Sequence, residues 1–231
     1  MNKNAPKRKS LPDVNGSTDQ PFNALSAEIC ILAGGLSKRM GRDKSCLRLG
    51  PTTMLGHIRK AARATGLPVR IIRRDCIPKC GPLSGIYTAL KTTRADAVLF
   101  LACDMPLISK DLIQFILQEV EEGMEPGLQA VVGRSYPVNG LFVRSRGRAG
   151  FPFILRRGSI EIVERQIQIG DYSLQGLATA VRANILSLTR PWSERLFNVN
   201  DHQDWTAVGK RWRRISGALN KPRVGLHSGQ K

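Results

Sequence analysis

Six consecutive apolar residues, Ala97–Ala102, run into Cys103, Asp104, Met105 and Pro106. A stretch with no polar position on either side of its alternation needs cover on both faces, as a central strand of a parallel sheet has. Pro106 lacks an amide hydrogen and bars the strand from continuing. A carboxylate is therefore left just beyond the end of the most apolar strand in the chain. A second run, Glu28–Ala33, is apolar and β-branched enough for another buried strand, and it ends at Gly34 and Gly35.

Helical segments fill the spaces between such runs. Met54–Thr65 follows Thr52 and Thr53, either of which can cap it, and stops before Gly66. Val69–Ile72 predicts a short strand, and Pro82–Lys91 behind Gly81 predicts a second helix. Ser109 caps Lys110–Glu122, where Leu112, Phe115, Ile116 and Val120 share one face before Gly123 closes the helix. Gln129–Gly133 and Gly140–Arg144 are predicted strands and Ser159–Ile167 a helix, and Asp201 caps a last helix through Arg213. Strands alternating with helices give an α/β class with a mostly parallel sheet and helices on both faces. Ligands of such sheets lie beyond the carboxyl ends of the strands.

At 231 residues the chain suits one large domain, and its apolar share of 42% provides for a substantial core. The net charge of +18 is unevenly spread. Residues 1–27 hold four Lys or Arg against Asp13 and Asp19 amid Ser, Asn, Pro and Gly, and are predicted to be a disordered basic tail. Residues 209–231 hold seven Lys or Arg and no acid, and are predicted to be a basic C-terminal tail. The domain is placed at 28–208, with the remaining +9 available to attract phosphate-bearing ligands or nucleic acid. No apolar run approaches the roughly 18 residues of a membrane span. The basic N-terminus is followed by no apolar stretch of a secretory signal, so a cytoplasmic location without membrane association is expected. Five cysteines, an odd number, point to reduced thiols, and Cys76 and Cys80 lack the second pair of a zinc site.

The chemistry-bearing residues gather at the two strand ends. Leu32-Ala33-Gly34-Gly35 continues through Ser37, Arg39, Met40, Gly41 and Asp43 to Lys44. Glycines after a buried strand let backbone amides approach an anion closely, and Arg39 and Lys44 add charge where phosphates would lie. The pattern is neither the P-loop nor the dinucleotide fingerprint. Asp104 suits Mg²⁺, which binds phosphate substrates with the help of one or two carboxylates. A turn aspartate bonding nearby amides has the same sequence appearance. His57, His202 and His227 have no nucleophile partner and read as structural or solvated.

Taken together, Leu32–Lys44, Gly81-Pro82-Leu83-Ser84-Gly85, Asp104-Met105-Pro106 and Asn198-Val199-Asn200 resemble, in order and spacing, the signatures of the molybdenum cofactor guanylyltransferase family. The resemblance spans residues 28 to about 208. It implies a Rossmann-like nucleotidyltransferase that takes GTP with Mg²⁺ and transfers GMP to the phosphate of molybdopterin, releasing pyrophosphate. It also implies that Leu32, Ala33, Gly34 and Gly35 meet the nucleotide through backbone groups, while Arg39 and Lys44 hold phosphates. By the same resemblance Asp104 ligates Mg²⁺, Asn200 is a second ligand or substrate contact, Asn198 orients its loop, and Asp75 lies near the base or ribose. An acceptor molybdoenzyme or its chaperone is an implied partner.

The sequence departs from that pattern between the helix at Met54 and Asp75, where a strand and a base-contacting loop are shortened to Val69–Ile72, which leaves guanine selectivity open. Arg42 replaces a frequent glycine. Tyr136–Leu141 lies where the family faces its pterin substrate, and reads equally as a turn. Arg144–Arg148 and Arg156–Arg157 are basic clusters that suit either an anionic substrate or a solvated face. The alternatives are a cytidylyltransferase of the same superfamily, a non-catalytic protein on this fold, and a nucleic-acid-binding protein; aromatic content of 6% and the lack of a basic–aromatic module disfavour the last.

Overall fold

The computed structural model describes residues 26–34, 46–74, 76–124, 139–190 and 192–219. Their order is β1 (Ala27–Leu32), β2 (Arg48–Leu49), β3 (Thr52–Thr53), α1 (Met54–Arg63), β4 (Val69–Ile72), α2 (Pro82–Thr92), β5 (Ala97–Ala102) and α3 (Lys110–Met124). There follow β6 (Gly140–Ser145), β7 (Arg148–Arg156), α4 (Ile160–Gln168), α5 (Leu174–Ala180), β8 (Asn184–Leu186) and α6 (His202–Leu219). The main sheet has the order β4-β1-β5-β7-β6-β8. The pairings β1–β4, β1–β5 and β6–β8 are parallel, and β7 is antiparallel to both its neighbours. Five strands therefore point one way and β7 alone runs back.

Alternation sorts the core into two layers. Ile29 and Ile31 of β1, with Leu99 and Leu101 of β5, pack beneath Leu55 and Ile58 of α1 and Ile113 and Ile116 of α3. On the opposite face, Cys30, Phe100, Phe142 and Phe153 pack beneath α2, α4 and α5 through Leu83, Ile86, Val163 and Leu177. Phe100, Phe153 and Phe142 are register partners on three adjacent strands. Their rings stack with centroids 4.9 and 4.4 Å apart, each stacked pair worth about 0.5–1.5 kcal/mol beyond its burial.

Several boundaries form as the sequence dictates. Thr53 caps α1 by accepting the Gly56 amide at 3.0 Å, Ser109 accepts the Leu112 amide at 3.3 Å, and Asp201 accepts the Asp204 amide at 2.9 Å. Three readings are corrected. Helix α3 passes through Gly123 to Met124, since one glycine costs only about 1 kcal/mol in a helix. Helix α6 continues past Arg213 to Leu219, so the division at residue 208 falls inside a helix. Its reason is a stripe of Trp205, Val208, Trp212 and Ile215, which packs with Leu49, Met54, Leu107 and Val199 in a third cluster. Strands β7 and β8 and helix α5 add elements beyond those expected. The predicted strand Gln129–Gly133 lies outside the described residues. So does His227, whereas His57 contacts the Leu49 carbonyl and meets the Trp212 ring edge-on at 6.0 Å.

Candidate active site at the carboxyl edge of the sheet

Register brings the candidate residues together. Leu32 faces Ile72 on one side and Ala102 on the other, so the chain leaves β4, β1 and β5 at one level. The ladder extends a step further through Ala33 N–H to Ile72 O at 2.8 Å and Cys103 N–H to Leu32 O at 3.2 Å. Gly34 and Asp104, each two residues beyond that level, thus emerge from adjacent strands. Gly34 is exposed, and Leu32, Ala33 and Asp104 are half-buried. Gly35, Arg39, Lys44 and Asp75 lie outside the described residues, as do residues 136–138 of the Tyr136–Leu141 segment.

A second element closes on Asp104 from the far end of the sequence. The Val199 amide donates to the Asp104 carbonyl at 2.9 Å, and fully buried Val199 anchors this loop in the third core cluster. The Asn200 amide in turn donates to the Asp204 carboxylate at 2.8 Å, fixing the loop to the first turn of α6. Asn198, Asn200 and Asp104 are so held in one neighbourhood across nearly a hundred residues of sequence. The side-chain Oδ1 of Asn198 is buried and has no hydrogen-bond partner among the described residues, which leaves an oxygen acceptor for a cation or a donor.

These donors fit a hard divalent cation. A carboxylate with amide oxygens is an all-oxygen set, and Mg²⁺ is ordinarily held by one or two carboxylates with the rest supplied by phosphates and water. Among the described residues no group of three or more His, Cys, Asp or Glu forms a protein-only metal cage. The set therefore suits an ion that arrives with a polyphosphate.

The adjoining helix, α2, begins at the same edge. Gly81 begins α2 at φ +56°, a left-handed conformation that disfavours side chains, and Pro82 occupies the first turn, where no amide hydrogen is needed. The segment before it is pinned to the helix: Cys76 N–H donates to Thr88 Oγ1 at 3.0 Å and Cys80 N–H to Ser84 Oγ at 3.2 Å. A helix N-terminus at this edge favours negative charge.

Sequence reasoning passed over part of the edge. Arg73 and Arg74, both exposed, follow β4 at the level of Ala33 and Gly34. Their signal was available, as two cations directly after a predicted strand. Arg144 and Arg146, flagged only as a basic cluster, stand where β6 leaves the same edge. No described helix is long and apolar enough to cross a membrane.

Residues 29–187 match the MobA-like NTP transferase domain. A molybdenum cofactor guanylyltransferase from Rhizobium leguminosarum bv. trifolii is 27% identical over 200 residues, covering 79% of this chain and 90% of that protein. Among solved structures, a nucleotidyl transferase from Methanothermobacter thermautotrophicus superposes with a TM-score of 0.61 at 15% identity, over 82% of this chain and 99% of the other. The molybdopterin-guanine dinucleotide biosynthesis protein A of Archaeoglobus fulgidus gives a TM-score of 0.55 at 16% identity, over 83% and 99%. At such identities the two structures speak for the fold alone.

Proposed function

The chain belongs to the MobA-like NTP transferase domain family and is a nucleotidyltransferase; we propose that it transfers GMP from GTP to the phosphate of molybdopterin in a Mg²⁺-dependent reaction. An oxygen of the acceptor phosphate forms a bond to the α-phosphorus, the bond from that phosphorus to the α–β bridging oxygen breaks, and pyrophosphate leaves. Such transfers leave the protein mainly positioning and charge neutralisation. The backbone of Leu32, Ala33, Gly34 and Gly35 lies against the nucleotide, Arg39 and Lys44 hold its phosphates, and Asp75 contacts the base or ribose. Asp104 and Asn200 hold the cation, which when bound supplies positive charge to the phosphates. Asn198 orients the loop. The proposed setting is the cytoplasm, with an acceptor molybdoenzyme or its chaperone receiving the product.

The observation that carries this reading is the join at Asp104: the residue leaves the central strand beside Gly34, and its main-chain carbonyl accepts the Val199 amide of the Asn-Val-Asn loop. Guanine as the base rests on the named relatives, because the segment between α1 and Asp75 is shorter than the family pattern and leaves the base contact open. Calorimetric titration with GTP, CTP and ATP, each with and without Mg²⁺, tests it. Mg²⁺-dependent binding of GTP alone is expected. Binding of CTP with GTP ignored would transfer the protein to cytidylyl chemistry, and no nucleotide binding at all would remove the catalytic reading.

A further inference from the structure

The short segment between α1 and Asp75 leaves the base contact open, and two cations that none of the roles above uses stand directly after it. Arg73 and Arg74, both exposed, follow Ile72, the last paired residue of β4. We propose that this arginine pair reads the guanine edge of the nucleotide, donating from a guanidinium fork to O6 and N7 of the base. This role rests on the proposed guanylyl transfer and adds specificity-determining residues to it.

Position supports the assignment. β4 is an edge strand, and β1 and β5 follow it in order across the sheet. Ile72, Leu32 and Ala102 are register partners, so Arg74, Gly34 and Asp104 each lie two residues beyond the same level on three successive strands. The Ala33 amide, donating to the Ile72 carbonyl at 2.8 Å, keeps the chain after β4 beside the glycine turn. In the proposed site a cation at Asp104 fixes the phosphates over β5, and the backbone from Leu32 to Gly34 lies against the nucleotide. The two strand spacings from β5 to β4 come to about 10 Å. A nucleoside that extends from the phosphates across β1 therefore presents its base to Arg73 and Arg74.

A third arginine of the same strand shows what a structural role looks like here. The Arg70 guanidinium is fully engaged, by Glu28 at 2.5 Å, the Thr92 hydroxyl at 2.6 Å and the Ala89 carbonyl at 3.0 Å. Among the described residues neither Arg73 nor Arg74 makes an ion pair or a side-chain hydrogen bond, so both forks are open to a ligand. Guanine offers O6 and N7 as adjacent acceptors, which match two parallel N–H groups of one guanidinium. Adenine sets its 6-amino donor beside N7, and cytosine presents its 4-amino donor on the corresponding edge. Either would meet the fork donor against donor. A planar donor pair is thus the residue chemistry that prefers guanine without a longer loop.

The test is calorimetric titration of the full chain, in Mg²⁺, with GTP, ATP and 7-deaza-GTP, which carries C–H in place of N7. GTP is expected to bind about tenfold or more tighter than 7-deaza-GTP. In Arg73→Ala/Arg74→Ala, GTP affinity should fall to about that of 7-deaza-GTP, while the 7-deaza-GTP affinity itself hardly moves. Equal binding of GTP and 7-deaza-GTP by the unaltered chain overturns the proposal, and that comparison needs no variant to fold. A loss shared equally by GTP, 7-deaza-GTP and ATP in the double variant also overturns it, because the pair would then be a phosphate clamp. Absence of all nucleotide binding removes the transferase reading and the base-reading role together. GTP bound without regard to N7 removes the base-reading role alone.

Discussion

Gly50 sits in the turn between β2 and β3 at φ +62°, facing the indole of Trp212. A methyl at this position would lie 2.9 Å from Trp212 Cζ3 and closer still to Cζ2 and Cη2. Gly50→Ala therefore has two costs. Holding an L-residue in the left-handed region costs about 1 kcal/mol. Displacing Trp212 forfeits part of the about 3–5 kcal/mol that removing a buried tryptophan costs, and for this half-buried ring about 2 kcal/mol is a fair share. The expected total is about 3 kcal/mol, or a fall of about 1 M in the urea midpoint at a slope near 2.5 kcal/mol/M. In a Trp212→Ala background the clash is gone and only the backbone cost of about 1 kcal/mol remains, giving a coupling of about 2 kcal/mol. Urea unfolding of the two single variants and the double variant measures it. Equal costs of Gly50→Ala in both backgrounds would refute the docking of α6 against this hairpin. The hairpin also accepts the Met54 amide at the Leu47 carbonyl, 2.8 Å, so α6 supports the chain just after Lys44.

Other expectations concern single groups. The Ser26 hydroxyl, 2.7 Å from Asp96 Oδ2, and then the Ser26 amide hold the Asp96 carboxyl below its ordinary 3.8. A depressed folded value contributes stability that is present above pH 3.8 and is lost as pH falls through the folded value; Ser26→Ala should raise the Asp96 titration midpoint in NMR, and an unchanged midpoint would refute the cause. Burial pushes the Cys30 thiol up to about 12, so at pH 8 a thiol reagent should modify exposed Cys76 in the native protein while Cys30 reacts only on unfolding. Glu28, buried beside Arg70 at 2.5 Å, should cost about 1–3 kcal/mol on replacement by Ala, read by thermal unfolding, because the change removes a charge-assisted hydrogen bond while the Ala89 carbonyl and the Thr92 hydroxyl still hold the partly exposed guanidinium.

Local signals were strong where the chain is most uniform. Ala97–Ala102 reads as a central strand and Glu28–Ala33 as a buried one, and Thr53, Ser109 and Asp201 are caps that act within three residues. The antiparallel β7 escaped because Gly150 and Pro152 interrupt its apolar run, and the pairing that overrides them comes from Phe100 and Phe142 on other strands. Only the last turns of the C-terminal helix were hidden by its own charge: Lys210, Arg211, Arg213 and Arg214 placed a basic tail from residue 209, while Trp205, Val208, Trp212 and Ile215 carry a helical period through them. Asp104 and Asn200 were legible as separate motifs. Their closeness is made by contacts across nearly a hundred residues, among them the hydrogen bond from Val199 to Asp104, which no local window contains.

The central claim is tested most directly by pyrophosphate release from GTP in the presence of molybdopterin and Mg²⁺, comparing the full chain with Asp104→Asn. The account predicts release that needs both the acceptor and the metal, and that falls by at least about two orders of magnitude in Asp104→Asn while the unfolding midpoint hardly moves. Wild-type rates in Asp104→Asn, or release that ignores the metal, would contradict it.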